Sequence, residues 1–356
     1  MGAARTGWGT GPFHYYPGMA ERAVHFVGSF PAESADEAMR AMMGGAGPLL
    51  RSLPTGETRR HRTYIEPIIE DLVARGVLEV RRVRADRTVH RLRKGSESNG
   101  DAVTLGYSRE AGEALPILAG LGEFAAPTLQ IGMPTAFTLA FVALGLPGAV
   151  SGRQIFIDAT AAELASVREV AGDDVVVQLE APAELVLMAR TQPLHRVLDA
   201  ALGLSKGIGA LAARAPEGTR FGVHLCLGGK RNKARAVLHD VRPLVDLANA
   251  VVRHWPSGRS LDYIHAPLSA GDIRPSDRPE FYASLGDLDL GPRTAFYAGF
   301  VHEEPTEAQL VQTLGMIERA LGRQVDAVAS ACGLGRYTRA TAELLIARSA
   351  ALAVVD

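Results

Sequence analysis

The chain has 356 residues, 47% of them hydrophobic, which is enough for one large barrel or two ordinary domains around a substantial core. Lys and Arg number 38 against 39 Asp and Glu, and the formal net charge of −1 supplies no global field for nucleic acid or an acidic membrane. Two cysteines and no signal-peptide pattern point to a reducing cytoplasm, where thiols are free to act as ligands.

Residues 1–22 are rich in Gly, Pro and aromatics and show no period. They read as an extension outside the main fold, draped over the surface or over a neighbouring subunit, so a homo-oligomer is one expectation. The fold proper is expected over 23–356. Val24 to Pro31 begins with a short buried-type strand that ends abruptly at Gly28-Ser-Phe-Pro31. Ser34 to Met43 reads as a helix with Ser34 as N-cap and Glu37 completing a capping box. Leu49 to Leu53 is a second apolar strand, stopped by Pro54-Thr-Gly-Glu57.

Arg59, Arg60, His61 and Arg62 follow, then a helical stretch from Ile65 to Arg75. Arginines after a strand end suit bidentate contacts to a substrate carboxylate or phosphate; the competing reading is a solvated helix start. Val77 to Arg93 alternates apolar and basic residues, which predicts a hairpin inserted at about 77–94. Its basic residues read as a solvated face. The most apolar segment, Ala125 to Val150, is interrupted by Pro127, Gly132, Pro134, Gly145 and Pro147 and reads as a buried strand and helix, not a membrane span.

Strand-like runs then alternate with helical ones: Thr128 to Ile131, Val175 to Leu179, Phe221 to Cys226, Leu261 to Ile264, Thr294 to Ala298 and Ala327 to Ala331. Helical patterns lie between them at Ala159 to Val170, Leu194 to Ala213, Leu244 to Trp255 and Thr306 to Leu321. With the first two strands, this alternation predicts an α/β protein, a single-domain (β/α)8 TIM barrel.

In such a barrel the active site lies at the C-terminal ends of the strands. Those ends carry Ser29, Glu57, Gln130, Gln178 with Glu180, His224 with Cys226, His265, His302 with Glu303, and Cys332. A strand over Phe221 to Cys226 turns His224 and Cys226 to the same face. Thiolates with imidazole are a zinc ligand set. The alternative makes the cysteines small buried hydrophobes and His224 a core histidine. The density of titratable residues at one end favours the metal, since packing alone is met by Val, Ile and Leu.

Gly28-Ser-Phe-Pro31, Gly56-Glu57, Gln178-Leu-Glu-Ala-Pro-Ala183, His224-Leu-Cys226 and Cys332-Gly-Leu334 resemble the C-terminal catalytic barrel of cobalamin-independent methionine synthase, over about Val24 to Arg339. Asp262-Tyr-Ile-His-Ala-Pro267 and Cys332-Gly-Leu-Gly-Arg336 resemble a bacterial branch of these barrels. The wider superfamily includes uroporphyrinogen decarboxylase-like barrels. The resemblance implies zinc held by His224, Cys226 and Cys332, which presents a small thiol as a thiolate to an alkyl donor. It implies Ser29 and Glu57 on the amino-acid part of that thiol and Glu180 near the transferring group.

Three departures stand beside it. Where the family has a glutamate ligand this chain has His265, either a fourth ligand or an acid–base group. The family's N-terminal barrel is absent from this sequence. Trp8 and Trp255 do not sit where the family stacks folate, so folate is not the expected donor. His302, after the seventh strand, reads as a general acid or substrate contact. Arg59, Arg60, Gln130 and Gln178 join the candidate substrate contacts. Two other readings remain on the sequence: a decarboxylase or lyase anchoring its carboxylate substrate on Arg59-Arg60-His61-Arg62, and a zinc-binding protein without chemistry.

Overall fold

Short all-buried strands separated by amphipathic helices bury one stripe of each helix against the sheet, and a parallel sheet so covered on its outer face closes on itself. A computed structural model of the chain describes residues 22–59, 63–84, 87–95, 104–121, 127–229 and 232–355. The N-terminal extension, Arg60, His61 and Arg62 lie outside the described residues.

In chain order the first elements are β1 (Ala23–His25), α1 (Ala35–Ala46), β2 (Ser52–Pro54), α2 (Glu66–Ala74), β3 (Leu78–Arg84), β4 (Arg87–Leu92) and α3 (Tyr107–Ala119). The middle third holds β5 (Thr128–Pro134), α4 (Ala136–Ser151), α5 (Gln154–Ala171), β6 (Val175–Ala181), α6 (Pro182–Arg190), α7 (His195–Leu202) and α8 (Leu204–Ala213). Then come β7 (Arg220–Leu225), α9 (Arg242–Arg253), β8 (Ser260–Pro267), α10 (Pro279–Tyr282), β9 (Ala295–Val301), α11 (Glu307–Leu321), β10 (Ala327–Ser330) and α12 (Arg339–Ala353).

The 8-stranded sheet runs β1-β10-β9-β8-β7-β6-β5-β2, with parallel pairing throughout. Parallel bridges Val24↔Leu50 and Ser29↔Gly56 join its two ends. This is the (β/α)8 barrel that the alternation predicts. β3 and β4 form the expected antiparallel hairpin outside it, packed against α4.

Local chemistry explains most boundaries. Ser34 caps α1 by accepting the Glu37 N–H at 3.2 Å, but the Glu37 carboxylate takes the Glu33 N–H, so only half of the expected capping box forms. Thr306 and Gln309 close a complete box at α11. The helix expected over Leu194 to Ala213 is two helices, because Gly203 stands at φ 62 between them. The strand expected at Leu49 to Leu53 starts later, at Ser52, because Gly47–Leu49 forms a 3₁₀ turn. No single helix among the described residues is long and apolar enough to cross a membrane.

Candidate metal centre and active site

Pleat and register bring the site together. Along β6, Val176, Gln178 and Glu180 alternate into the barrel, while Val175, Val177 and Leu179 face the helices. Neighbouring strands pair Gln178 with Gly222, Glu180 with His224 and His224 with His265. A carboxylate and two imidazoles therefore stand in one row.

Below that row lies a layer whose polar groups are used up. Gln130 Nε2 donates to the carbonyls of Phe26 and Val27, both at 2.9 Å, and its Oε1 accepts from Ser52 Oγ at 2.7 Å. Gln178 Nε2 donates to Val27 O at 2.6 Å, and its Oε1 accepts from His25 Nε2 and Tyr263 OH, both at 3.1 Å. Burial holds the His25 imidazole down at about 3, with His224 adding to the effect and Gln178 partly offsetting it. The two amides expected to meet substrate thus tie β5 and β6 to the backbone after β1. Both are fully buried.

The row above is different. Ligand atoms of His224, Cys226 and Cys332 all lie within 4.8 Å of one another. Cys226 follows the end of β7 and Cys332 follows β10, so the pair joins opposite parts of the chain. Their sulfurs are 3.8 Å apart, too far for a disulfide at about 2.05 Å. Tetrahedral zinc with Zn–S bonds of about 2.3 Å holds two sulfurs about 3.8 Å apart. His224 Nδ1 is engaged by His265 Nδ1 at 2.7 Å, and His224 Nε2 is buried with no hydrogen-bond partner. A buried nitrogen without a partner, beside two thiols at zinc spacing, fits a metal. The Cys332 thiol is pushed well below its usual range by the Cys226 S–H aimed at it, and then by His224 and Arg336, against burial. Cys226, as donor of that bond and by burial, is pushed up.

His265 lies outside this group of three. Its Nδ1 meets His224 and its Nε2 meets the Ser330 carbonyl at 3.1 Å. That carbonyl sits where β10 shifts register on β9, between Ala329 and Ser330. Gly299 on β9 makes the room: a β-carbon there would stand 2.7 Å from His265 Nε2.

Glu57 and Glu180 approach each other across the barrel mouth. A β-carbon on Gly132 would lie 2.9 Å from an oxygen of each, so a side chain there would push both carboxylates from these positions. Tyr64 lies beside them, and its hydroxyl is held protonated by burial first and then by Glu180. Ser29 O accepts the Leu334 N–H at 2.7 Å, and Ser29 Oγ accepts the Gly335 N–H at 3.3 Å, which pins the loop that carries Cys332. His302 Nδ1 accepts the Glu304 N–H at 3.2 Å, and Nε2 is buried and without a partner. Glu303 lies 3.4 Å from the same Nδ1. The shorter backbone bond decides the tautomer, so the proton is on Nε2, facing a small cleft shared with Cys332, Asn232 and Tyr337. Arg59 pairs with Glu113 of α3 at 2.7 Å with both side chains about half exposed, a surface ion pair and not a substrate clamp.

Sequence reasoning missed Tyr64, Asn232 and Tyr337. Among the described residues the non-glycine positions at positive φ are Glu57, Tyr64 and Asn232, all around this mouth, and such backbone gathers at functional sites. Only Tyr337, five residues after Cys332, carried a signal by its closeness to a motif.

No family model and no curated protein matches the chain. Among solved structures it is similar to a B12-independent methionine synthase from Shewanella sp. W3-18-1 in complex with selenomethionine, with a TM-score of 0.60 and 17% sequence identity. The likeness covers 93% of this chain and 97% of that one. At that identity it establishes a shared (β/α)8 fold, and the chemistry has to be argued from the residues at the strand ends.

Proposed function

We propose that the protein is a zinc-dependent alkyl or methyl transferase whose nucleophile is a small, homocysteine-like thiol. The observation that carries this reading is the group of His224, Cys226 and Cys332, with sulfurs 3.8 Å apart and His224 Nε2 without a partner. These three residues would hold zinc. Bound there, zinc lowers the pKa of a coordinated thiol so that it is presented as thiolate near neutral pH.

The chain's own groups divide the remaining work. Ser29 Oγ already accepts a backbone N–H and keeps its own proton to donate to a substrate carboxylate. Glu57, buried at the mouth, suits a substrate ammonium group. Glu180, with Tyr64 beside it, faces the space where the alkyl group would pass. His302, with Nε2 facing the cleft, would donate a hydrogen bond from Nε2 to the leaving group, and acts as a general acid only when its Nδ1 also carries a proton. The donor stays unassigned. Trp255 packs edge-on against Phe221 and donates to the Arg259 carbonyl, away from the strand ends, which gives no support to a stacked folate. The solved structure of similar fold carries selenomethionine, a methylated product analogue, and that supports the same class of thiol.

Elemental analysis on protein purified without an affinity metal column should find about one zinc per chain. Adding homocysteine to the cobalt-substituted protein should raise its sulfur-to-cobalt charge-transfer absorption. No stoichiometric zinc defeats the proposal. Zinc without a response to homocysteine would move the protein to the class of metal-binding proteins without transfer chemistry. Nothing at Arg59 favours the lyase reading.

A further inference from the structure

His265 stands where a fourth ligand is expected, yet both of its ring nitrogens are already committed. The Ser330 carbonyl can only accept, so the proton of His265 is on Nε2. Its Nδ1 is then a lone pair, and the 2.7 Å contact to His224 Nδ1 requires a hydrogen on the His224 side. A second proton on His265 would make an imidazolium that is fully buried, with another imidazole and a carbonyl as its neighbours and no carboxylate bonded to it. The bond directions therefore form a single chain, from His224 Nδ1–H to His265 Nδ1 and from His265 Nε2–H to Ser330 O. At its far end His224 Nε2 is buried, without a hydrogen-bond partner, and faces Cys226 and Cys332.

Resting on the zinc reading above, we infer that His265 is a positioning residue and not a ligand. It locks His224 into the Nδ1–H tautomer, so that Nε2 offers its lone pair beside Cys226 and Cys332. A further consequence is that the protein supplies three ligands, one imidazole and two thiolates, and leaves the fourth tetrahedral position to a substrate thiol, as catalytic zinc sites require. The β10 irregularity at Ser330 and the missing side chain at Gly299 are the backbone devices that hold His265 in this role.

Three measurements test it, and none reads activity. Nitrogen-15 spectra of the histidine rings in metal-free protein should show His224 protonated at Nδ1 and His265 at Nε2. X-ray absorption at the zinc edge should show one imidazole and two sulfurs, rising to three sulfurs when homocysteine is added. His265→Gln can accept from His224 through its amide oxygen and donate to Ser330 through its amide N–H, so it should keep zinc affinity near wild type. His265→Leu should weaken affinity by about 10–100-fold while stoichiometry is retained, the range for loss of a partner behind a ligand. Two imidazoles on zinc, or His224 protonated at Nε2, would overturn the inference and leave the zinc reading standing. A His265→Gln protein that loses zinc as completely as a cysteine variant would overturn it as well. Absence of zinc from wild type defeats the zinc reading instead, and the nitrogen spectra still decide the tautomer.

Discussion

Two layers of polar side chains sit inside this barrel, one above the other, and they are built by opposite rules. In the lower one, Gln130, Gln178, His25 and Tyr263 bond one another and the backbone. In the upper one, His224 Nε2 and His302 Nε2 are as deeply buried but bond nothing. An unpaired buried polar group costs about 1–3 kcal/mol, so the open layer carries a cost that the satisfied one does not, and a bound group would relieve it. Burial is the same in both. Satisfaction separates the lower layer from the candidate site.

The contrast can be broken by exchanging what each layer should tolerate. The largest effect is expected from Cys332→Ser. Zinc affinity should fall by more than the roughly 10–100-fold that a supporting partner costs, with little change in the urea midpoint of the metal-free protein. Equal zinc content in this variant and wild type would place the metal elsewhere. Next is Gln178→Leu, which leaves a histidine N–H unpaired, leaves the Tyr263 O–H only its 3.4 Å contact to Gln130 Oε1, and takes one of two donors from the Val27 carbonyl. It should cost about 3 kcal/mol in denaturant unfolding, while zinc affinity of the folded protein holds. A variant as stable as wild type would mean that the lower layer is not structural.

The smallest effect is a pH slope. Glu184 of α6 is buried and accepts from Thr135 Oγ1 and from Thr138 Oγ1, the latter at 2.8 Å. Burial, partly offset by these bonds, raises its carboxyl from 4.5 to about 7. The folded state then keeps a proton that the unfolded state has released, so this group's contribution is fully present below about 4.5 and is lost as pH rises through about 7. Glu184→Gln should remove a slope of at most about 1.4 kcal/mol per pH unit across that window. An unchanged stability profile would show that Glu184 is ionised in the fold.

Much of the fold was legible in sequence. All eight barrel strands were visible as short apolar runs, and the helix of Thr306 to Leu321 as a helical pattern whose capping box only the structure shows. The break at Gly203 was not, because the apolar pattern continues through it and only a φ of 62 interrupts the helix. Within the site, the His-x-Cys spacing and the distal cysteine marked the three residues that come together. That Gln130 and Gln178 bond the backbone was not legible, because a glutamine facing into a barrel looks the same in sequence whether its amide meets a substrate or a backbone carbonyl. Arg59 was misread because Glu113, its partner, is far along the chain.

The sequence by itself determined the alternation of strand and helix, the barrel that follows from it, and the set of titratable residues at the strand ends. Those properties depend on period, capping and side-chain direction, all of which are local. The tertiary structure alone decided which of those residues touch. Register set Glu180 beside His224 and His224 beside His265, and the irregularity in β10 aligned Ser330 with His265. Register between strands is set by how helices and sheet pack across the whole barrel, which no local stretch of sequence carries. That is why the sequence leaves His265 open between ligand and acid–base group, while the fold bonds it to His224 and to the Ser330 carbonyl.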